Sequence, residues 1–459
     1  MAGFRTVLTI SVVAALVVAA RALTPEIADP AYDWTPVQDA LATGLSQKVF
    51  PGYVAAVGGP NGTVFLQAGG HFTYGQADPV GHDSPADTTT DTWFDLASLS
   101  KVTGTTTAVA QFYERGELDL NMPLANEYLL GEGYAGQGKS TITALNCLVH
   151  NAGYPPDPNP EYWSQDFGCL ATDEYHPPET FDCNQRIYES LLNQTLVNPV
   201  GDVYVYSDLS FITLQYVVGT LAKNLGYVTP DMLLPACNYS GTGITLTCYF
   251  EAYVRTHVFE AAGMNVTGYL PPKERWAFAA PTWHDNYYRH RTMQGQVSDE
   301  NSYALGGIAG HAGVFSTAPQ IMMLMQKLMF ATPTSTFLNS TTVKLFTTAH
   351  NLTQSSRALG WDTNSWTMNT YRGCGNMSTY TYTHTGYTGT EICNDPVHQM
   401  TTILLTNRCY PVKTGNLGVN IEHARQHFNN AALQVFTAAS KKQVPQLLHY
   451  EDARATQLP

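Results

Sequence analysis

The sequence contains few charged residues, and basic residues are the scarcer kind. Charged residues make up 13% of the 459, and 23 lysines and arginines stand against 37 aspartates and glutamates, which gives a formal net charge of −14. No cluster of lysines or arginines interrupts this balance. Because nucleic acids and anionic membrane surfaces attract positively charged proteins, neither is predicted as a partner.

The sequence also lacks internal repeats and the usual spacings of zinc ligands. Neither C-x-x-C nor H-E-x-x-H occurs, so we predict no metal site and no cofactor. Hydrophobic residues make up 44% of the chain, which is ample for a large core. A chain of 459 residues can form two or three ordinary domains, or one large α/β domain with an insertion.

Only one apolar run approaches the length of a membrane span, and it lies at the N-terminus. Arg5 precedes a nearly unbroken apolar stretch over residues 7–20, and Ala20-Arg21-Ala22 offers an A-x-A cleavage site. This pattern is typical of a secretory signal peptide, which we assign to residues 1–22. The run is shorter than the ~20 residues of a spanning helix, so cleavage is favoured over retention as an anchor. The mature protein would be secreted, or lie in the lumen of the secretory pathway, without a membrane segment.

Eight cysteines and seven glycosylation sequons agree with secretion. An even set of cysteines is typical of an oxidising compartment, and Cys169 with Cys183 and Cys237 with Cys248 would close short loops, although many other pairings are possible. The sequons predict a glycosylated surface and a eukaryotic secretory route. They begin at Asn61, Asn193, Asn238, Asn265, Asn339, Asn351 and Asn376.

The order of predicted elements indicates an α/β (α+β) fold. An amphipathic helix over residues 36–49, with Thr35 as its N-cap, precedes a hairpin whose strands flank the turn Gly58-Gly-Pro-Asn-Gly62. Near the C-terminus the pattern predicts strands at 380–386, 390–394 and 400–406 and a closing helix at 420–438. We therefore expect an antiparallel sheet of five or more strands flanked by helices.

One domain is expected to occupy residues 23–459. Its α/β part would comprise residues about 30–105 and 305–440. The region 106–304 between them is rich in Pro, Tyr and Asn and holds five of the cysteines. We predict that it forms an inserted, mainly helical lobe with long loops.

The segment Ser98-Leu-Ser-Lys101 sets a hydroxyl and an amine one helical turn apart. A serine hydroxyl is a weak nucleophile and needs a group that takes its proton. Lys101 can do so only when its amine is neutral, and we expect burial and neighbouring positive charge to lower its pKa. The spacing alone is weak, because an ordinary helix start with a solvated lysine has the same pattern.

Two further motifs follow, Tyr206-Ser-Asp208 and His384-Thr-Gly386. In this order the three motifs resemble the active-site triplet of the serine β-lactamase and penicillin-binding-protein superfamily. The segment Trp93–Gly104 resembles the serine-motif segment of the class C β-lactamase-like hydrolases in particular. The resemblance extends over roughly residues 36–440 and implies a β-lactamase/transpeptidase-like fold.

The resemblance implies a serine hydrolase that forms an acyl-enzyme. Ser98 would be the nucleophile, Lys101 would share in its activation, and Tyr206 would be the partner base that shuttles a proton to the leaving group. The backbone N–H groups of Ser98 and Tyr387, the latter on the strand edge, would form the oxyanion hole. The implied substrate is a small ester or a peptide-like amide.

The resemblance also implies a substrate-binding set. His384 and Thr385 would position the substrate and complete the proton network. Gly386 would leave room for a substrate that runs along this strand. His311, within a glycine-rich turn, is predicted to line the cleft, and Asp208 takes the place of the family's Asn.

Two departures from the triplet change the expected substrate. Asp208 cannot donate the amide hydrogen bond that the family's Asn offers. His384 replaces the family's Lys, so we expect a group that titrates near neutral pH and carries no fixed charge. Because a fixed cation suits the carboxylate of a β-lactam, hydrolysis of other esters or amides is predicted over that of penicillins.

Two alternatives stay open. One is a secreted binding protein of the same fold that has lost catalysis. The other is a penicillin-binding, D-peptidase-like activity on bacterial peptides.

Overall fold

The computed structural model describes residues 24–75, 86–171, 181–237, 240–365, 373–415 and 420–443. The predicted signal peptide and the sequon at Asn238 lie outside these ranges. Within them, no helix has both the length and the apolar character needed to cross a membrane.

Strands are concentrated at the two ends of the described chain. They are β1 (Ile27–Ala28), β2 (Gly52–Gly59), β3 (Gly62–Gly70), β4 (Phe94–Asp95), β5 (His284–Asp285), β6 (Arg291–Thr292), β7 (Phe315–Ser316), β8 (Asp362–Thr363), β9 (Tyr382–Thr385), β10 (Glu391–Asp395) and β11 (Met400–Thr406).

Most helices lie between these two groups of strands. They are α1 (Thr35–Ser46), α2 (Thr107–Glu114), α3 (Ala144–Leu148), α4 (Asn184–Asn193), α5 (Asp208–Asn224), α6 (Thr242–Tyr253), α7 (Glu300–Ala304), α8 (Ala318–Met329), α9 (Ser340–Thr347) and α10 (Ile421–Gln443).

Seven of the described strands form one antiparallel sheet in the order β1-β3-β2-β11-β10-β9-β8. Strand β2 is buried on both faces, and its side chains alternate between two cores. Val54 and Ala56 pack into the large core, whereas Ala55 and Val57 pack into a second core with α1 and α10. The sheet is thus covered by helices on both sides, which confirms the predicted fold class.

The helical lobe is organised around α5. Fourteen of its residues are buried, consistent with a sequence that is apolar around nearly the whole helix. It packs against α6, and its N-terminus carries Asp208. The second motif therefore ends at the N-terminus of this central helix.

Several boundaries predicted from sequence are confirmed, and one cap is wrong. The hairpin, the three late strands and the closing helix all form. The first helix, however, begins at Thr35 and has Trp34 as its N-cap residue, with Pro36 in the first turn. Proline is tolerated there because the first N–H groups of a helix have no partner within it.

Six of the cysteines form disulfides in the described chain. Cys169–Cys183 and Cys237–Cys248 close the two short loops anticipated from spacing. A third bond, Cys374–Cys393, had no local signal in the sequence. The remaining two, Cys147 and Cys409, are unpaired and buried.

Candidate active site

Ser98 lies at the start of a helix that continues to Glu114. The π-helical segment Lys101–Thr106 lies near its start and leads directly into α2. The Nζ of Lys101 lies 3.1 Å from the Oγ of Ser98. The side chain of Lys101 is fully buried, whereas Ser98 keeps part of its surface open.

The turn before Ser98 is held by Asp95. Its carboxylate accepts hydrogen bonds from the N–H groups of Ala97 at 2.9 Å and Ser298 at 2.7 Å. Ala97 has a φ of 46°, in the left-handed region, which a non-glycine residue keeps only when its surroundings enforce it. The hydroxyl of Thr388 donates to the Asp95 carbonyl at 2.7 Å. The nucleophile turn is thereby tied to the β9–β10 hairpin.

Lys101 carries a positive charge, contrary to the expectation from sequence. Its Nζ lies 2.7 Å from the Oδ1 of Asp208 and donates to the carbonyl of His311 at 3.1 Å. Burial lowers the pKa of Lys101, but the charge of Asp208 and the contact with Tyr206 outweigh it and raise that pKa above its ordinary value. The sequence-based prediction of a lowered pKa is wrong because the nearest charge is a carboxylate. Lys101 acts as a hydrogen-bond donor.

Two cations lie near the ring of Tyr206. Its ring centroid is 4.9 Å from the Nζ of Lys101 and 5.1 Å from the Cζ of Arg357. The ring of His384 lies 6.2 Å away. Folding therefore brings together the side chains of all three motifs.

His384 is a neutral imidazole with a defined tautomer. Its Nδ1 lies 2.9 Å from the carbonyl of Thr385 and must donate, so its Nε2 accepts from Arg357 at 3.2 Å. Burial, Arg357 and Lys101 hold the pKa of His384 well below its ordinary value. The prediction that this histidine titrates near neutral pH is therefore wrong.

Arg357 supplies a fixed positive charge next to His384, which the sequence-based prediction did not expect. Its Nε donates to the hydroxyl of Tyr204 at 3.2 Å, and its Nη2 lies 3.5 Å from Asp362. It belongs to no motif and precedes His384 by 27 positions. The pairing of β8 with β9, in which Asp362 faces Thr383, brings it to the site.

The two predicted oxyanion donors are main-chain amides. Within the described residues, neither the N–H of Ser98 nor that of Tyr387 has a hydrogen-bond partner. Tyr387 follows β9 in the turn rather than lying on the strand edge as predicted. A Cβ at Gly386 would lie 2.5 Å from the carbonyl oxygen of Leu96 and 2.1 Å from the Oγ1 of Thr390. The glycine thus permits close packing of the hairpin on the nucleophile turn, a reason that sequence reasoning missed.

His311 is buried next to Lys101, whose Nζ donates to the His311 carbonyl at 3.1 Å. Its side chain is 1% exposed, and its Nε2 lies 3.0 Å from the Oδ1 of Asp299. Burial lowers the pKa of His311, but Asp208 and Asp299 outweigh it and raise that pKa. Ligand atoms of these three side chains lie within 4.8 Å of one another. The ammonium of Lys101 already neutralises part of this negative charge.

The chain matches the sequence pattern of the β-lactamase family over residues 37–422. A protein from Salmonella enteritidis named "Putative D-alanyl-D-alanine carboxypeptidase" is 27% identical over 362 residues, which cover 73% of this chain and 74% of that protein.

Solved structures show the same fold. A D-alanine carboxypeptidase from Burkholderia cenocepacia, 17% identical, superposes with a TM-score of 0.59 over 87% of this chain and 97% of its own. A class C β-lactamase from Rhodobacter sphaeroides, 18% identical, gives a TM-score of 0.54 over 87% of this chain and 98% of its own. The match over most of its length shows that this chain belongs to the β-lactamase family of serine hydrolases.

Proposed function

We propose that this protein is a secreted hydrolase that forms an acyl-enzyme on Ser98 and cleaves esters or peptide-like amides. The observation that carries the proposal is the 3.1 Å contact between the Oγ of Ser98 and the Nζ of Lys101, beside Tyr206 and His384. A serine, a cation, a phenol and a neutral imidazole in one site match the needs of nucleophilic catalysis.

Tyr206 is the group that accepts the proton of Ser98 in this proposal. Lys101 is already protonated, so it cannot take a second proton, but it can donate to the Ser98 oxygen. As that oxygen bonds to the substrate carbonyl carbon, its proton passes to the oxygen of Tyr206. In this step Tyr206 reacts as its phenolate, and the cations Lys101 and Arg357, which lie near its ring, stabilise that form.

The tetrahedral intermediate that this attack produces then loses its leaving group. The N–H groups of Ser98 and Tyr387 bind the oxyanion while the tetrahedral intermediate exists. Tyr206 returns its proton to the departing oxygen or nitrogen as the acyl bond breaks. A water molecule then attacks the acyl carbon while Tyr206 takes its proton, and that proton passes to the Oγ of Ser98 as the bond between Ser98 and the acyl group breaks and the acid leaves.

A D-peptidase activity is the second candidate, and Arg357 favours it. The sequence alone predicts no fixed cation near His384, and for that reason disfavours carboxylate-bearing substrates, whereas the Nη1 of Arg357 lies 3.2 Å from the Nε2 of His384. Relatives named as D-alanyl-D-alanine carboxypeptidases point the same way. A substrate with a terminal carboxylate next to the scissile amide would suit this charge.

A substrate panel tests the proposal. Turnover by wild type and by Ser98→Ala is measured for short-chain p-nitrophenyl esters, D-amino-acid amides, a D-alanyl-D-alanine peptide and nitrocefin. We expect ester or amide turnover that disappears in Ser98→Ala, together with labelling of wild type alone by a fluorescent acylating probe. Equal labelling of both proteins would refute the assignment. Binding of a ligand without any turnover would favour a non-catalytic protein.

Secretion and glycosylation belong to the same proposal. Of the sequons in the described chain, Asn61, Asn193, Asn265, Asn351 and Asn376 are exposed, so they are accessible to modification. Expression in a eukaryotic host should give protein in the medium that begins near residue 23 and loses mass on treatment with an N-glycosidase. Retention of an intact N-terminus in membranes would contradict signal cleavage.

A further inference from the structure

A second buried histidine, His150, packs against the side chain of Tyr206 and has no role in the mechanism above. Its side chain is 1% exposed. Its ring centroid lies 4.5 Å from that of Tyr206, with 32° between the planes, and 5.2 Å from that of Phe211. The phenol ring thus has a rigid aromatic neighbour that is itself enclosed by the helical lobe.

His150 also binds the main chain on both sides of Tyr206. Its carbonyl accepts from the N–H of Val205 at 2.8 Å, and its Nδ1 accepts from the N–H of Ser207 at 3.0 Å. Since a neutral imidazole carries one proton, an accepting Nδ1 leaves that proton on Nε2. One residue therefore holds both amides that flank Tyr206 as well as packing against its ring.

Two features of His150 would be unfavourable if its only role were to fill space in the core. Its φ is 57°, in the left-handed region that a non-glycine residue rarely adopts. Its Nε2 is buried and has no hydrogen-bond partner among the described residues. An apolar side chain would fill the same space without leaving a buried polar atom unpartnered, so the contacts to the Tyr206 segment are what this histidine supplies.

We propose that His150 is a positioning residue that fixes the phenol of Tyr206 relative to Ser98 and Lys101. The inference rests on the proposed function, in which Tyr206 accepts the proton of Ser98. A phenol free to move would slow this proton transfer, because reacting groups must be held close and aligned. Substrate binding would change little, since His150 itself is buried.

Two substitutions separate the contacts of His150. His150→Phe keeps an aromatic ring but leaves the N–H of Ser207 without its acceptor. His150→Asn restores an acceptor near the Nδ1 position and tolerates a left-handed backbone, but it lacks the ring. We expect His150→Phe to lower kcat about 100-fold, the loss typical of a small misplacement of a catalytic group, with KM nearly unchanged. His150→Asn should recover part of that loss.

His257 provides the matched control. Its ring stacks on Tyr253 at 4.7 Å and meets the ring of Tyr227 at 5.6 Å, a comparable aromatic setting in the helical lobe. His257→Phe should leave kcat close to wild type, and thermal unfolding shows how much folded protein each variant contains.

Three results would overturn the inference. They are a wild-type kcat in folded His150→Phe, no recovery in His150→Asn, and a fall in kcat for His257→Phe as large as for His150→Phe. If wild type lacks Ser98-dependent acylation, the proposed function fails first and this inference fails with it. Normal Ser98 acylation with an unaffected His150→Phe would refute only the positioning role.

Discussion

Asp208 determines the charge of the lysine beside the nucleophile. The 2.7 Å contact between its Oδ1 and the Nζ of Lys101 offsets the cost of burying that amine. An Asn at this position would be neutral and would offer an amide donor, as in the family's usual motif. Compared with Asn, Asp208 therefore forms an ion pair with Lys101 but offers no amide donor to a substrate.

Replacing Asp208 with Asn should shift substrate preference. Without the carboxylate, the pKa of Lys101 falls, because burial then dominates, and the new amide can donate to an amide substrate. We expect the ratio of kcat/KM for amides to that for esters to rise by up to about tenfold, the value of one good hydrogen bond. Asp208→Ala, which removes the charge without adding a donor, is the control. A ratio that rises equally in both variants would contradict the role of the donor.

Arg357 controls the charge around His384. Burial, and after it the guanidinium of Arg357, hold the pKa of His384 well below the ordinary value, so in wild type we expect no step in kcat/KM near neutral pH from this residue. In Arg357→Gln the pKa of His384 should rise toward its ordinary value. A step in kcat/KM would then appear below about pH 6.5, where the imidazole gains a proton.

The same variant tests the preference for carboxylates. We expect Arg357→Gln to lower kcat/KM for a carboxylate-bearing peptide more than for a neutral ester. Arg255→Gln is the control, since Arg255 pairs with Glu251 at 2.9 Å in the helical lobe. Equal losses on both substrates would show that Arg357 has only a structural role.

At the scale of elements, the nucleophile turn is held between the sheet and the helical lobe. Asp95 ends β4 and receives two main-chain amides, one of which comes from the loop before α7. Burial raises the pKa of Asp95, although these hydrogen bonds lower it. Asp95 therefore connects segments that are far apart in sequence.

Asp95→Asn should weaken that connection. The Asn side chain keeps one acceptor and presents an NH₂ group to the other amide, so a buried amide loses its partner. We expect a loss of about 1–3 kcal/mol in the free energy of unfolding and a lower kcat. Asp119→Asn removes the charge from an exposed turn in which Asp119 accepts from Asn121 at 2.9 Å, and it should change stability by less than about 0.5 kcal/mol. Similar losses in the two variants, measured by chemical denaturation, would argue against a special role for Asp95.

At the scale of the whole molecule, the ion pair between Asp299 and His311 links stability to pH. Burial raises the pKa of Asp299, but His311 outweighs it and the net shift is downward, so its contribution is present above about pH 4 and is lost as pH falls. The pKa of His311 is raised, so its contribution is complete below about pH 6.5 and is lost as pH rises through the raised value. The pair should stabilise the fold most between these limits.

Asp299→Asn tests this window. Asn can still cap α7 through the N–H of Ser302, which lies 2.7 Å from the Asp299 carboxylate, so the substitution mainly removes charge. We expect the free energy of unfolding to fall most near about pH 5–6, and less near about pH 3 and about pH 9. Urea denaturation at the three values measures it. A loss that does not vary with pH would exclude the ion pair as its cause.

Much of this architecture could be predicted from sequence because its signals are local. The Gly-rich turn between β2 and β3, the Thr/Ile/Leu pattern of β11 and the order of the three motifs each occupy a short stretch. The charge of Lys101 and the presence of Arg357 could not be predicted in this way. Both depend on contacts across the fold, from Lys101 to Asp208 and, through the pairing of β8 with β9, from Arg357 to His384.

The reactivity of the two unpaired thiols, Cys147 and Cys409, reports whether the structure around them has opened. Burial raises the pKa of Cys147, and it raises the pKa of Cys409 to about 12, so neither forms a reactive thiolate while the protein is closed. Alkylating reagents should modify them only in molecules whose core or active-site hairpin has opened, since Cys409 donates to the Tyr387 carbonyl at 3.3 Å. We expect labelling of native protein, followed by mass spectrometry, to be slow and to accelerate with denaturant. Rapid labelling without denaturant would mean that the hairpin opens on its own, and mild oxidants would then cross-link chains through this position.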